Sequence, residues 1–381
     1  MHVMFIPSWY NNKRNPVHGS FFKEQAQALQ ESGVKVTVAY NEIWPLTQLF
    51  KVNEKIGINY SIEDGLKTYR YKNFNYLPKN PRMFNIFNKR LDKLYKEIVK
   101  KEGEVDLIHC QSSFWAGISA AYIAKKYNIP LVITEHSSLK TAIYMKESYK
   151  PLVVKSYLEA DALIAVGNGL KEELCQLSGR KDIRVIHNLI PVEKFKIIKN
   201  NNDVFTFFSL AFLEGEKGMD VLVKAFSKYF KNTNTKLVIG GDGSQREFLV
   251  NLSKELGIDN QIQFLGALSR EAVVEYMSYC NAFVLASKYE TFGVVYIEAL
   301  ASGKPIIGTY NGGAEDIINS NNGLIVKVND VDELGSAMKY IVNNIDSYNS
   351  EYIRNECIEK YSKKKIINEI LDVYNELLKE R

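Results

Sequence analysis

Residues 287–313 read SKYETFGVVYIEALASGKPIIGTYNGG, and the architecture follows from how this stretch sits between its neighbours. An apolar run, AFVLA (282–286), comes before it, and a second, PIIGTY (305–310), lies near its end. Between them Thr291-Phe292-Gly293 reads as a tight turn opening a helix, which Gly303 and Pro305 terminate. Strand, turn, helix and strand in that order form the repeating unit of a parallel sheet. A helix start presents backbone N–H groups without intrahelical acceptors and the positive end of the helix dipole, so Phe292, Gly293 and Val294 are placed to hold an anion such as phosphate. Gly293 has no side chain to keep that anion away. Glu298, almost two turns into the helix, is placed to accept hydrogen bonds from hydroxyl groups such as those of a ribose, and Glu290 lies before the helix.

The same alternation extends outward in both directions. In the first half, strands are expected at 2–6, 34–40, 106–110, 130–136, 162–166 and 183–187. SFFKEQAQALQESG (20–33) reads as a helix with Phe22, Ala26 and Leu29 on one face and Gly33 at its end. In the second half, strands are expected at 205–211, 236–240, 262–265, 282–286, 305–310 and 323–326, with helices between them. Continuous apolar strands separated by helices imply parallel sheets covered on both faces. The segment 191–204, PVEKFKIIKNNNDV, reads as a linker. This predicts an α/β protein of two doubly wound, Rossmann-like domains, 1–190 and 191–361, facing across a cleft. A lysine-rich amphipathic helix at 362–381 would follow, expected to pack back on the first domain.

Length and composition agree with that plan. The 381 residues exceed what one core usually spans, with 46% apolar and 24% charged residues. A net charge of +5 is too small to argue for nucleic-acid binding. Cys110, Cys175, Cys280 and Cys357 form no C-x-x-C pair, which speaks against a zinc site and a disulfide framework and favours a reducing cytoplasm. No signal-peptide pattern opens the sequence, and no run approaches the ~20 apolar residues that span a bilayer. Neither a P-loop nor a G-x-G-x-x-G fingerprint is present.

Taken with its flanks, the Glu290–Glu298 segment resembles the Glu-x(7)-Glu signature of the retaining glycosyltransferases of family 4, which have the GT-B fold. FIPSWYNNKRNPVHGSFFKEQAQAL resembles the family's amino-terminal loop and first helix. DLIHCQ, VITEHSS and VIHNLIP resemble inner and hinge-side strands, and EKGMDVLVKAF, VIGGDGSQREFL and FLGALSREAVVEYM resemble the stretches leading to the Glu motif. The resemblance implies that Lys217 contacts the donor diphosphate, that Glu298 meets the ribose and Glu290 the transferred sugar, and that His136 lies close to that sugar. Gly19 matches the glycine whose backbone passes near the donor phosphates, and His109 the first member of a frequent H-x-H pair, completed here by Gln111. The family's GGxPE segment corresponds to Gly312-Gly313-Ala314-Glu315-Asp316, where Gly313 would approach the sugar or phosphate and the acid is displaced or replaced by Asp316. Where the family usually has an arginine five residues before the lysine, this chain has Phe212, so Arg246 or Arg270 is a candidate for the missing half of the phosphate clamp.

The activity implied is transfer of a sugar from a UDP- or GDP-type donor to a saccharide or lipid-linked acceptor in cell-surface polysaccharide or glycolipid synthesis. No cofactor or metal is expected: no Asp-x-Asp pair is placed to hold a divalent cation between phosphates, and Lys217 with the helix amides would offset the phosphate charge. Residues 82–101 set Phe84, Phe87, Leu91, Leu94 and Ile98 against Arg82, Lys89, Arg90, Lys93, Lys96, Lys100 and Lys101. Such a helix either packs its stripe into its own domain or lies on an anionic membrane, which would put a cytoplasmic protein at the inner face of the membrane. Two other readings stay open, a glycosyltransferase-like partner subunit of weak activity, which Phe212 favours, and a nucleotide-sugar epimerase on the same fold.

Overall fold

The computed structural model describes residues 1–12, 18–140, 145–198 and 203–379. The chain forms two compact units, Met1–Leu189 with Lys363–Arg381, and Ile190–Ser362.

The first unit is built on eight strands: β1 His2–Pro7, β2 Lys35–Trp44, β3 Gly57–Glu63, β4 Leu66–Phe74, β5 Leu107–Gln111, β6 Leu131–Glu135, β7 Ala162–Ala165 and β8 Arg184–Val185. They run in the order β3-β4-β2-β1-β5-β6-β7-β8. All neighbours are parallel except the β3–β4 hairpin. β1, β5, β6 and β7 are buried along their whole length, as covered parallel strands must be. The hairpin is absent from the strand pattern expected above, although its turn carries a signal. Asp64-Gly65 joins its strands with φ of 48° and 86°, the pair of positive values that a two-residue hairpin turn requires. Last in the sheet, β8 is shorter than the 183–187 expected.

The second unit has six strands, β9 Phe205–Leu210, β10 Thr235–Gly240, β11 Ile262–Gly266, β12 Ala282–Val284, β13 Ile306–Thr309 and β14 Gly323–Val326. They lie in the order β11-β10-β9-β12-β13-β14 and are all parallel. The winding reverses at β9, which places the loops after β9 and β12 beside the crevice where sheets of this kind hold ligands.

The stretch expected as a linker is more structured than its composition implies. Val192–Lys194 form a 3-10 turn. Phe195 is fully buried, and Arg354 and Lys304 donate to the carbonyls of Val192 and Ile198 at 3.0 Å each. Residues 199–202, which include all three asparagines, lie outside the described residues.

The basic helix forms at Met83–Glu102, but its stripe is not available to a membrane. Met83, Phe84, Phe87, Leu91, Leu94 and Ile98 are buried within the first unit. Arg90, expected on the solvated side, is buried and donates to Phe74 O at 2.7 Å. The helix covers β2 and β4 of its own sheet, and that burial satisfies its apolar face.

The last helix, Lys363–Lys379, returns to the first unit. Ile366, Ile367, Ile370, Val373 and Tyr374 join a cluster containing Val3, Phe5, Phe22 and Leu29. Ile370→Ala should cost about 2–5 kcal/mol through lost burial and a residual cavity. The expected readout is a lowered urea midpoint for the first unit's transition, with the second unit's unchanged.

Candidate functional site

In the second unit three loops converge at the carboxyl ends of β9, β12 and β13. The Lys288 N–H donates to Glu216 O at 2.8 Å, joining the loop after β12 to the one after β9. Glu290 N donates to Asn311 O at 2.9 Å, joining it to the loop after β13. Gly218, at φ 61°, lies so close to the β12 loop that a Cβ would stand 2.0 Å from Ala286 O. Gly313 lies against the Phe292 peptide in the same way, where a Cβ would meet Phe292 O at 2.7 Å.

This convergence brings two of the expected residues together. Lys217 Nζ lies 2.6 Å from Glu290 Oε1, both side chains being partly exposed. The helix that follows runs Val294–Ala301, capped by Gly293 in the left-handed region at φ 90°. Its first amides point to the same loop end, and the Phe292 ring is turned inward against Tyr361 at 5.8 Å, so Phe292 can serve a ligand only through its backbone. Tyr296 is fully buried beneath, its hydroxyl accepting from Asn311 Nδ2 at 3.2 Å and its pKa raised by burial and by the nearby Glu290 charge.

Glu298 is 2% exposed and pairs with Arg270 through Nη1. Arg270, named above as a candidate phosphate clamp, is thus engaged with the carboxylate expected to read ribose hydroxyls. Arg246 is exposed at the start of the helix Arg246–Glu255, its Nη2 near Gly266. Phe212 is 73% exposed at the carboxyl end of β9. The acid of the Gly-Gly segment is Glu315, whose carboxylate accepts from the Gly312 amide at 2.9 and 3.1 Å and thereby shapes the loop. The Asp316 carbonyl accepts from the Tyr361 hydroxyl at 3.5 Å.

In the first unit, His109, Gln111 and His136 form one buried chain at the ends of β5 and β6. Gln111 Oε1 accepts from His136 Nε2 at 2.7 Å, and Gln111 Nε2 donates to His109 Nε2 at 3.0 Å. With Nε2 of His109 an acceptor, Thr134 donates to it at 2.8 Å, and Nδ1–H donates to the Tyr374 hydroxyl at 2.5 Å. The substitution of Gln111 for a second histidine therefore still links the two rings. Burial lowers the pKa of both imidazoles to about 3, so they are neutral groups and not cations. Gly19 caps the helix Ser20–Glu31 at φ 70°, where a Cβ would meet Trp9 O at 2.7 Å.

The residues that hold His136 in place escaped the sequence reading. Glu135 Oε1 accepts from the amides of His136 and Ser137 at 2.9 and 3.0 Å, and Oε2 from Ser113 N and Tyr157 OH at 2.9 and 2.8 Å. Glu173 accepts from Ser138 Oγ and from the amides of Leu139 and Lys140. An acid ending an otherwise apolar strand in VITEHSS was the available signal. Among the described residues no group of three or more His, Cys, Asp or Glu side chains is arranged to hold a metal.

Two family models match the chain almost end to end, Glycosyltransferase Family 4 over residues 19–194 and Glycosyl transferases group 1 over 192–364. The chain belongs to the family 4 glycosyltransferases. It is 31% identical to an uncharacterized glycosyltransferase of Methanocaldococcus jannaschii, over 75% of this chain and 79% of that one. It is 26% identical to N-acetyl-alpha-D-glucosaminyl L-malate synthase of Bacillus anthracis, over 74% and 78% respectively. The Anabaena protein HepE in complex with UDP-glucose superposes with a TM-score of 0.75 at 17% identity, covering 99% of this chain and 100% of that one. The two parallel-sheet units are those of the GT-B glycosyltransferases.

The buried imidazoles give the first unit a defined acid sensitivity. Their folded pKa values, about 3, lie below the 6.5 of an ordinary histidine, so between these limits the unfolded chain takes up protons that the folded chain refuses. Stability present above pH 6.5 is therefore lost as the pH falls toward 3. Burial raises the Glu135 carboxyl, a shift of opposite sign that acts in the carboxylate range. Urea midpoints should fall between pH 7.5 and 5.5, and His136→Gln, which cannot take up a proton, should reduce the fall.

Proposed function

We propose that this glycosyltransferase moves a hexosyl group from a UDP- or GDP-sugar to a saccharide or lipid-linked acceptor, with retained anomeric configuration and without a required metal. The observation that carries the reading is the Lys217–Glu290 pair, at 2.6 Å, set before the capped start of the Val294–Ala301 helix. A diphosphate seated there meets an ammonium and a row of backbone N–H groups. Both offset the charge that builds on the departing phosphate, the kind of preorganised stabilisation that lowers a transition state most. Glu290, held by the lysine in the absence of donor, faces the transferred sugar once the lysine turns to the phosphates. Glu298 accepts the ribose hydroxyls, with Arg270 pairing to its buried carboxylate and orienting it.

The leaving phosphate takes the proton of the incoming acceptor hydroxyl, which enters on the face that the nucleotide leaves. The protein then needs no side-chain nucleophile. The first unit supplies the acceptor. His136, neutral and with its Nε2 proton given to Gln111, keeps Nδ1 as an uncharged acceptor for a sugar hydroxyl. The HepE complex supports a uridine donor, and the Bacillus anthracis relative supports a sugar as the group transferred. Cell-surface polysaccharide or glycolipid assembly, at the inner face of the membrane, is the proposed setting.

A donor screen tests this directly. Purified protein with EDTA should bind one class of nucleoside diphosphate sugar and hydrolyse it slowly. Glu298→Gln should weaken that binding, and Lys217→Ala should lower turnover by about 10²–10³-fold while leaving the fold intact. Absence of binding to any uridine, guanosine or adenosine diphosphate sugar by folded protein would overturn the catalytic reading and favour the partner subunit that the exposed Phe212 suggests.

A further inference from the structure

We propose that the loop 45–56, with the neighbouring turn 75–82, seats the first unit on an anionic lipid surface. Phe50 is 97% exposed, and Leu46, Leu49, Ile56 and Tyr76 are 39%, 44%, 51% and 51% exposed. These residues leave the same end of the sheet. Trp44 pairs in register with Phe74, Asn75 N donates to Trp44 O at 2.8 Å, and β3 begins at Gly57 opposite Lys72. That is the carboxyl end of β2 and β4, the end at which sheets of this kind meet their ligands.

The loop is built to display its apolar tip. Gln48 O accepts from the amides of Lys51 and Val52 at 2.9 and 3.1 Å, closing a turn that leaves Phe50 outward. Lys72 and Glu54, 2.5 Å apart, tie the loop to β4. Trp44 packs edge to face on Phe74 with centroids 5.3 Å apart, and Tyr76 lies tilted against Phe74 at 6.5 Å. Packing does not call for an exposed phenylalanine at the tip of a braced turn.

Charge decides the occupant. Lys51, Lys55, Lys79 and Arg82 are exposed around the apolar tip and pair with no acid among the described residues, while the intervening Glu54 is taken by Lys72. Apolar side chains set among unpaired cations fit an interface of acyl chains and anionic headgroups. In a two-fold contact with a second copy, the same four cations would face their own counterparts. The helix at 83–102, with its stripe buried, contributes only charge to this surface. The proposal deepens the reading of the acceptor as lipid-linked and rests on it for its purpose, though not for its test.

Vesicle sedimentation without donor or acceptor provides that test. The protein should bind phosphatidylglycerol vesicles and not phosphatidylcholine vesicles, and Phe50→Ser should weaken binding about 10-fold or more. Phe50→Trp should show a blue-shifted difference emission against wild type, quenched by brominated acyl chains. Unchanged binding by Phe50→Ser, or emission unmoved by vesicles, would overturn the proposal. So would a dimer in sedimentation velocity that Phe50→Ser splits, which would assign the patch to a second copy. Donor hydrolysis should be equal in wild type and Phe50→Ser. If neither hydrolyses any donor while vesicle binding still depends on Phe50, the transferase reading fails and the lipid surface stands.

Discussion

Lys217 and Glu290 meet at 2.6 Å because three loops are forced into contact at the ends of adjacent strands. The constraint is steric before it is electrostatic. Gly218 lets the β9 loop approach the carbonyl of Ala286, and Gly313 lets the β13 loop lie on the Phe292 peptide. With a methyl group at either position the loops separate, and the lysine, the glutamate and the helix start no longer share one location. The charges exploit a closeness that the backbone has already established, and the parallel order β9-β12-β13 is what makes these three loops neighbours.

The sheet architecture was legible in the sequence because each strand is a short apolar run closed by a turn residue, and burial on both faces leaves little else for such runs to be. The second unit's six strands all fall where the pattern puts them. β3 and β4 were not legible in the same way. Their residues, GINYSIE and LKTYRYKNF, mix polar and apolar side chains because β3 is an edge strand with an open face. The Asp64-Gly65 turn was the signal that alternation obscured. The 191–198 segment lies where the two units divide, as its charges and proline suggested, but Phe195 and the hydrogen bonds from Arg354 and Lys304 fix it to the second unit.

The site divides along a similar line. Glu290, Gly293 and Glu298 drew attention through local features, a turn and a helix start, and Lys217 through the family resemblance. Their partners were not. Arg270 reaches Glu298 from the start of another helix, and Glu315 closes on Gly312 only once the loop has folded. Spacing along the chain carries no record of either contact. The buried acids Glu135 and Glu173 went unread because their function is to hold backbone amides, and amides have no signature in sequence.

The last helix shows how far such contacts can reach. Tyr374 is 265 positions from His109 and yet provides the hydrogen-bond partner of its Nδ1. A phenol at that point lets His109 donate from Nδ1 and accept at Nε2, which lets Gln111 donate to it and accept from His136. The protonated nitrogen of His136 is therefore set through Gln111 by a residue near the end of the chain. Burial makes this ordering stable, because with both imidazoles held at a pKa of about 3 no proton enters the chain near neutral pH to reverse it. The return of residues 363–379 to the first unit thus does two things at once: it closes the core over Phe5 and Phe22, and it completes the polar chain that orients His136.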